Sequence, residues 1–262
     1  MIRNILLTIE YDGTDFFGWQ IQPEARTIQG EIQRVLKVLC GTEVKVDGTS
    51  RTDAGVHALG QRASFLADLK GLPPERLAYV MNNLLAPDVK IVEAKECPAD
   101  FHARYRAVGK KYIYRILNGS PKDVFRRNYY YFYDRPLNPE KMREAAGKLA
   151  GTHDFKAFMA QGSTPQESTV RTIYSYEVEW ADRPELGEGC REITLSVTGD
   201  SFLYNMVRIM TGTLVEAGLG RIDPEEIPQI LESGDRSRAG HTAPPQGLYL
   251  AEVYYDKEEL HG

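Results

Sequence analysis

The sequence predicts a two-lobed α+β protein, with mixed, mostly antiparallel sheets flanked by helices and a basic cleft between the lobes. Three observations lead there. Strand and helix patterns alternate as strand, helix, strand, helix, strand in each half of the chain. Several of the apolar/polar alternations follow one another closely enough to pair antiparallel. No low-complexity linker separates the halves, so the division is expected near residues 104/105, giving lobes 1–104 and 105–262. At 262 residues and 42% hydrophobic, the chain can bury a core without metal or disulfide staples.

Residues 2–10 alternate and are rich in Ile and Leu, as in a strand. "TIQGEIQRVLKVLCG" predicts a helix, because Ile28, Ile32, Val35, Leu36 and Leu39 share one face, with Thr27 as N-cap and Gly41 as stop. "EVKVDG" reads as a short strand, residues 49–60 as a loop and "QRASFLA" as a strand. "PPERLAYVMNNLLA" predicts a helix opened by proline, and "VKIVEAKE" a strand. In the second half, "KKYIYRIL" and "YYYFYD" read as strands. "NPEKMREAAGKLAG" reads as a helix capped by Asn138 and stopped by Gly151. "VRTIYSYEVEW" and "REITLSVTG" alternate as antiparallel strands. "FLYNMVRIMTGTLVEAG" predicts an apolar helix carrying one unexpected charge, Arg208; a shorter helix follows from about Pro224, and "LYLAEVYY" closes as a strand.

Composition narrows the chemistry. The apolar runs are a few residues long, which excludes a membrane span, and the first residues lack a secretion signal. Cys40, Cys97 and Cys190 are odd in number and form no CxxC pair, as expected of free, buried thiols in a reducing cytoplasm. The five histidines and three cysteines show no metal-ligand spacing, so no metal site is expected. The net charge of −5 hides an asymmetry. Residues 101–130 hold Arg104, Arg106, Lys110, Lys111, Arg115, Lys122, Arg126 and Arg127 against one acid, Asp123. A local charge of +7 in an acidic chain suggests a polyanion bound at one place. Within "FHARYRAVGKKYIYR" the cations alternate with Tyr105, Tyr112 and Tyr114. Cations can neutralise phosphates and a phenol can stack on a base, although Tyr112 and Tyr114 share one strand face that could equally turn to the core.

The densest chemistry lies in "TSRTDAGVHALG", residues 49–60. Asp53 stands two residues after Arg51 and four before His57, among residues too small to build a core. A carboxylate there can be a nucleophile or a general base, and Arg51 or another arginine could keep it ionised in a closed site. An isolated R-T-D-A-G also fits a plain turn. A Ser/His/Asp reading with Ser50 lacks the G-x-S-x-G elbow, which leaves His57 to orient the loop by hydrogen bonds. Arg208 needs a partner inside its apolar helix; Asp53 and some other acid are equal candidates. "EYDGT" and "KVDGT" look like the D-x-D-G-T of aspartate-nucleophile phosphatases, but Glu10 and Lys45 stand where the nucleophile belongs.

"RTDAGVHA" resembles the active-site motif of the tRNA pseudouridine synthase I family. "YDGTDFFGWQIQP", "FHARYRAVGKKYIYRI", "FLYNMVRIMTG" and "TAPPQGLYLAEVYY" are similar, in the same order, to that family's other signatures, so the likeness spans essentially the whole chain. It departs at Tyr204, where the family usually carries a basic residue. The resemblance implies a pseudouridine-synthase-like fold and isomerisation of uridine to pseudouridine at positions 38, 39 and 40 of the tRNA anticodon stem-loop. It implies Asp53 as the catalytic aspartate, Tyr112 stacked on the target uracil, Arg208 paired with the aspartate and Arg51 engaging the RNA near the flipped base. It also implies no cofactor, no metal, and a homodimer with tRNA lying across both subunits. Arg104, Arg106, Lys110 and Lys111 are the expected phosphate contacts. The rival reading is an RNA-binding module without chemistry; it explains the basic, aromatic stretch but not the cluster around Asp53.

Overall fold

The computed structural model describes residues 1–119, 123–162 and 167–261, so Lys122 of the basic stretch lies outside the described residues. The chain forms two compact units, residues 1–108 with 249–257, and residues 109–248 with 258–262.

In the first unit, β1 (Ile2–Tyr11) is the centre of an antiparallel sheet. β2 (Asp47–Gly48) and β1 both pair with β3 (His57–Asp68), while β4 (Val89–Cys97) takes the other side of β1. Alternate β1 residues Ile5, Leu7 and Ile9 are fully buried, as are Ile28, Ile32, Val35 and Leu36 of α1 (Ile28–Cys40). Two periodicities, 2 and 3.6, therefore meet in one core. The predicted caps form: Thr27 accepts from the Gly30 N–H, and Gly41 closes the helix at φ 72°.

Three expectations shift, each for a tertiary reason. "EVKVDG" yields only two strand residues, because Gln33 and Gln29 of α1 donate to the carbonyls of Val44 (2.7 Å) and Val46 (2.8 Å). α2 (Pro74–Asn82) stops earlier than its apolar pattern, because the Asn82 amide turns to β4, donating to Ile91 O (2.9 Å) and accepting from Ile91 N–H (2.7 Å). Cys97 is half-buried rather than buried, its thiol on Asn4 O; Cys40 and Cys190 are buried, and all three thiols are free.

The second unit is built on β5 (Gly109–Asn118), which runs parallel to the short β6 (Tyr131–Tyr133). α3 (Pro139–Leu149) starts at Asn138, whose side chain accepts from the Glu140 and Lys141 N–H groups. Gly151, expected only as a stop, opens β7 (Gly151–Asp154), which pairs with β8 (Val170–Asp182). β9 (Arg191–Gly199) lies between β8 and β5, antiparallel to both. α4 (Met206–Gly218) packs on α3, and Met142, Ala145, Leu149, Ile209, Met210 and Leu214 are fully buried. α4 begins four residues later than its sequence pattern, because Asn205 takes a left-handed φ of 58°. One 3₁₀ turn (Pro224–Glu226) with an Asp223/Glu226 capping box leads into α5 (Ile227–Ser233).

β10 (Leu248–Tyr254) returns the chain to the first unit: Tyr249 and Leu250 pair in parallel with His57 and Ala58 of β3. The compact units group the chain somewhat differently from the expected 1–104 and 105–262. The boundary falls at 108/109, and residues 249–257 belong with the first unit because their ladder partners do. The same pairing makes His57–Gly60 strand rather than loop.

Candidate active site

The loop carrying Asp53 is held almost atom by atom from behind. Gln61, fully buried on β3, donates to Ser50 O (2.7 Å) and accepts from the Ser50 N–H (3.2 Å). The Trp19 N–H donates to Thr52 O (3.0 Å), and the Tyr11 and Thr52 hydroxyls meet at 2.7 Å. Gly55, at φ 77°, donates to Phe16 O (3.3 Å), and the Val56 N–H closes the turn on Asp53 O (3.1 Å). Residues 11–19 are thus the cradle of residues 50–56. The cradle needs glycine. A Cβ on Gly18, whose φ is 85°, would stand 2.5 Å from Thr52 O, and one on Gly13 would stand 2.0 Å from Val56 O. Asp53 is left half-buried and Arg51 exposed.

His57 is the keystone of this arrangement. It is 2% exposed and stacked on Tyr249 of β10, centroids 4.7 Å apart. Its Nδ1 accepts from the Gly13 N–H (3.0 Å), which places the proton of the neutral ring on Nε2. The Asp12 carboxylate, 3.2 Å from the same Nδ1, instead accepts from the Thr14 N–H. The buried Ser50 hydroxyl has no hydrogen-bond partner among the described residues, so no Ser/His relay forms. His57 joins three segments: the cradle, β3 and β10.

The second unit positions the other residues. Arg208, half-buried on α4, donates from Nε to Ala243 O (2.7 Å) and from Nη1 to Asn205 Oδ1 (2.8 Å). The Ala243 N–H returns a bond to Arg208 O (3.0 Å), so the residue is fixed at backbone and side chain alike. Tyr112 on β5 is 8% exposed and meets Phe202 edge-on at 5.1 Å. Tyr114, on the same strand face, is a core residue. Its phenol donates to Pro244 O (2.7 Å), and burial pushes its pKa well above the ordinary tyrosine range.

The basic stretch is shared between the two units. Arg104 and Arg106 are exposed in the first unit, where Arg106 pairs with Asp100 (2.7 Å). Lys110 and Lys111 belong to β5 of the second unit and, being adjacent on a strand, face opposite ways. Arg126 pairs with Asp123. Among the described residues no group of three His, Cys, Asp or Glu side chains could hold a metal ion, and no helix is long and apolar enough to cross a membrane.

The sequence pattern described as tRNA pseudouridine synthase matches residues 7–106 and 145–256, which takes in the cradle, the Asp53 loop, β3, α4 and β10. The chain belongs to the tRNA pseudouridine synthase family. It is 48% identical over 254 residues to the tRNA pseudouridine synthase A of Acetivibrio thermocellus, covering 97% of this chain and all of that one. It is 45% identical to that of Bacillus subtilis, covering 95% and 98%. Membership fits the fold as found, α+β with mostly antiparallel strand pairing. Tyr204, where the resemblance departs, is half-exposed and gives its carbonyl to the Ala160 N–H (3.1 Å), a contact that any side chain permits.

Reading the sequence alone missed the residues that hold the site: Tyr11, Gly13, Gly18, Gln61 and Tyr249 behind Asp53, and Asn205 and Ala243 beside Arg208. The glycines in "YDGTDFFGW" were a usable signal, since two glycines among four aromatics suggest backbone packed on backbone. Gln61 gave none, because a buried glutamine within a strand pattern looks like any exposed one.

Proposed function

We propose that this protein isomerises uridine to pseudouridine at positions 38, 39 and 40 of the tRNA anticodon stem-loop, with Asp53 as the catalytic carboxylate. The observation that carries the reading is the end-to-end match to relatives named tRNA pseudouridine synthase A, together with an Asp53 loop whose backbone is fixed from behind. In the reaction the C1′–N1 bond breaks, the ring rejoins through C5, the C5 proton leaves to solvent and N1 takes up a proton. The Asp53 carboxylate serves either by attacking C1′, as in retaining glycosidases, or by removing the C2′ proton. The target base must leave its stack, at a cost of a few kcal/mol. Stacking on Tyr112 returns about 1–3 kcal/mol, and phosphate contacts by Arg104, Arg106, Lys110 and Lys111 supply the rest. Arg208 pairs with the Asp53 carboxylate, and Arg51 engages the RNA beside the flipped nucleotide.

The reaction is an isomerisation without redox step or energy input, so no cofactor is needed. The protein works in the cytoplasm as a homodimer, with tRNA across both subunits. The deciding experiment uses unmodified tRNA tritiated at uracil C5, with no metal or nucleotide added. Wild type releases tritium, whereas Asp53→Asn binds the tRNA and releases none. Release by both would remove Asp53 from the chemistry. Release by neither, with tRNA still bound, would leave an RNA-binding protein.

A further inference from the structure

Tyr105 is the most exposed tyrosine among the described residues, at 77%, and nothing in the chemistry above uses it. An exposed phenol on a loose turn would carry no meaning. This one stands on a turn tied down on all sides. Asn4 donates to the carbonyls of Pro98 and Phe101 (both 2.8 Å). The Ala103 N–H donates to Ser64 Oγ (3.0 Å), and Ala103 O accepts from both the Thr49 and the Tyr255 hydroxyls (3.1 Å each). The Arg106 N–H closes the turn on His102 O (3.0 Å).

The ring itself is also held. The imidazole of His102 lies against it, centroids 4.3 Å apart and planes tilted by 36°. His102 is fixed in turn: its Nδ1 accepts from the Arg104 N–H (3.2 Å), and its Nε2 faces Asp47 Oδ2 at 3.7 Å. His102 thereby backs the phenol, which stays largely exposed. The Arg104 guanidinium lies over the ring, 5.9 Å from its centroid, which joins an exposed cation to an exposed aromatic ring. An aromatic platform with a neighbouring cation is the arrangement that takes up an unpaired nucleobase together with its phosphate.

We propose that Tyr105 is a second stacking platform, which takes an unpaired nucleobase of the substrate RNA while Arg104 meets the adjacent phosphate. The inference rests on the tRNA reading above. It deepens that reading because Thr49, hydrogen-bonded to the Tyr105 turn, stands four residues before Asp53 on the same loop. A base held at Tyr105 would register the RNA against the Asp53 loop from a residue that takes no part in the chemistry.

The test measures tRNA binding to the full-length protein, by anisotropy of a labelled unmodified transcript, across a salt series. Tyr105→Ala weakens binding about 5- to 140-fold, the equivalent of losing about 1–3 kcal/mol of stacking. Tyr105→Phe stays within about twofold, because it keeps the ring. The salt dependence separates the two partners. Tyr105→Ala leaves the slope of log Kd against log salt unchanged, whereas Arg104→Ala lowers it by about 0.7–0.9, the share of one phosphate.

An unchanged Kd for Tyr105→Ala overturns the proposal. So does equal weakening by Ala and Phe, which would make the hydroxyl and not the ring the contact. A change in the protein's solution mass with tRNA affinity intact also overturns it, by assigning the ring to a protein interface. Failure of the isomerase reading is separate: it appears as absent tritium release by wild type, whatever Tyr105 does to binding.

Discussion

At the scale of residues, the candidate chemistry depends less on the charged side chains than on what allows Asp53 to be presented. Gly18 is the sharpest case. Alanine there meets Thr52 O at 2.5 Å and must hold φ at 85°, so the Asp53 loop has to move. Gly18→Ala is expected to lower kcat at least tenfold while tRNA affinity falls by less than about threefold, with a loss of roughly 1 kcal/mol or more in urea unfolding. Equal kcat in the variant would show that the loop tolerates displacement. Tyr11→Phe probes the same cradle more gently. It leaves the Thr52 hydroxyl short of its 2.7 Å partner and is expected to cost about 0.5–1.5 kcal/mol, with the ring's packing against Trp19 retained. Thermal unfolding alone reads that loss.

At the scale of elements, α4 and the segment after it form one device. A Cβ on Gly212 would stand 1.8 Å from His241 O, and one on Gly240 would stand 2.5 Å from Gly212 C, so helix and returning chain meet backbone to backbone at these glycines. The Gly240 N–H adds a bond to Thr213 Oγ1 (2.9 Å), and Arg236 donates to Gly240 O (2.8 Å). Three residues further on, Ala243 O receives Arg208. Alanine in place of a helical glycine normally stabilises by up to about 1 kcal/mol. Gly147 of α3, with nothing within 4 Å of its missing Cβ, should follow that rule, and Gly147→Ala is expected to raise Tm. Gly212→Ala should reverse the sign: Tm falls, and activity falls with it as Ala243 draws away from Arg208. Calorimetry of the two variants side by side tests the argument. A gain in both would mean that the α4 contact is not close-packed in solution.

At the scale of the whole molecule, burial of phenols sets the alkaline limit. Tyr131 and Tyr255, one in each unit, are both pushed up to about 12, chiefly by burial. A phenol with a folded pKa above its ordinary value of about 10 gives its full stabilisation below pH 10. That contribution is lost as pH rises from about 10 through 12, because the unfolded chain ionises first and binds fewer protons there. Stability in urea is therefore expected to be flat up to about pH 10 and to fall above it. Ultraviolet titration of the native protein should show Tyr131 and Tyr255, together with the buried Tyr114 and Tyr176, ionising late. Ionisation of every tyrosine near pH 10 would contradict the burial seen here.

By itself the sequence determined the elements, most of their caps and the candidate residues. Those are local matters: the face of α1, the Asn138 cap, the period-2 runs of β8 and β9, and Asp53 between Arg51 and His57 all follow from spacing a few residues apart. The family likeness was legible for the same reason, since five short motifs in order need no three-dimensional knowledge. Only the tertiary structure decided where the loop before β3 ends, because His57 becomes strand by pairing with Tyr249, which stands far along the chain. It also decided that Val44 and Val46 give their carbonyls to α1, that the basic stretch divides between two units, and that Tyr105 rather than Tyr114 stands open. Each of these turns on which distant group reaches a backbone donor, a carbonyl or a ring face first, and a linear pattern holds no record of that competition.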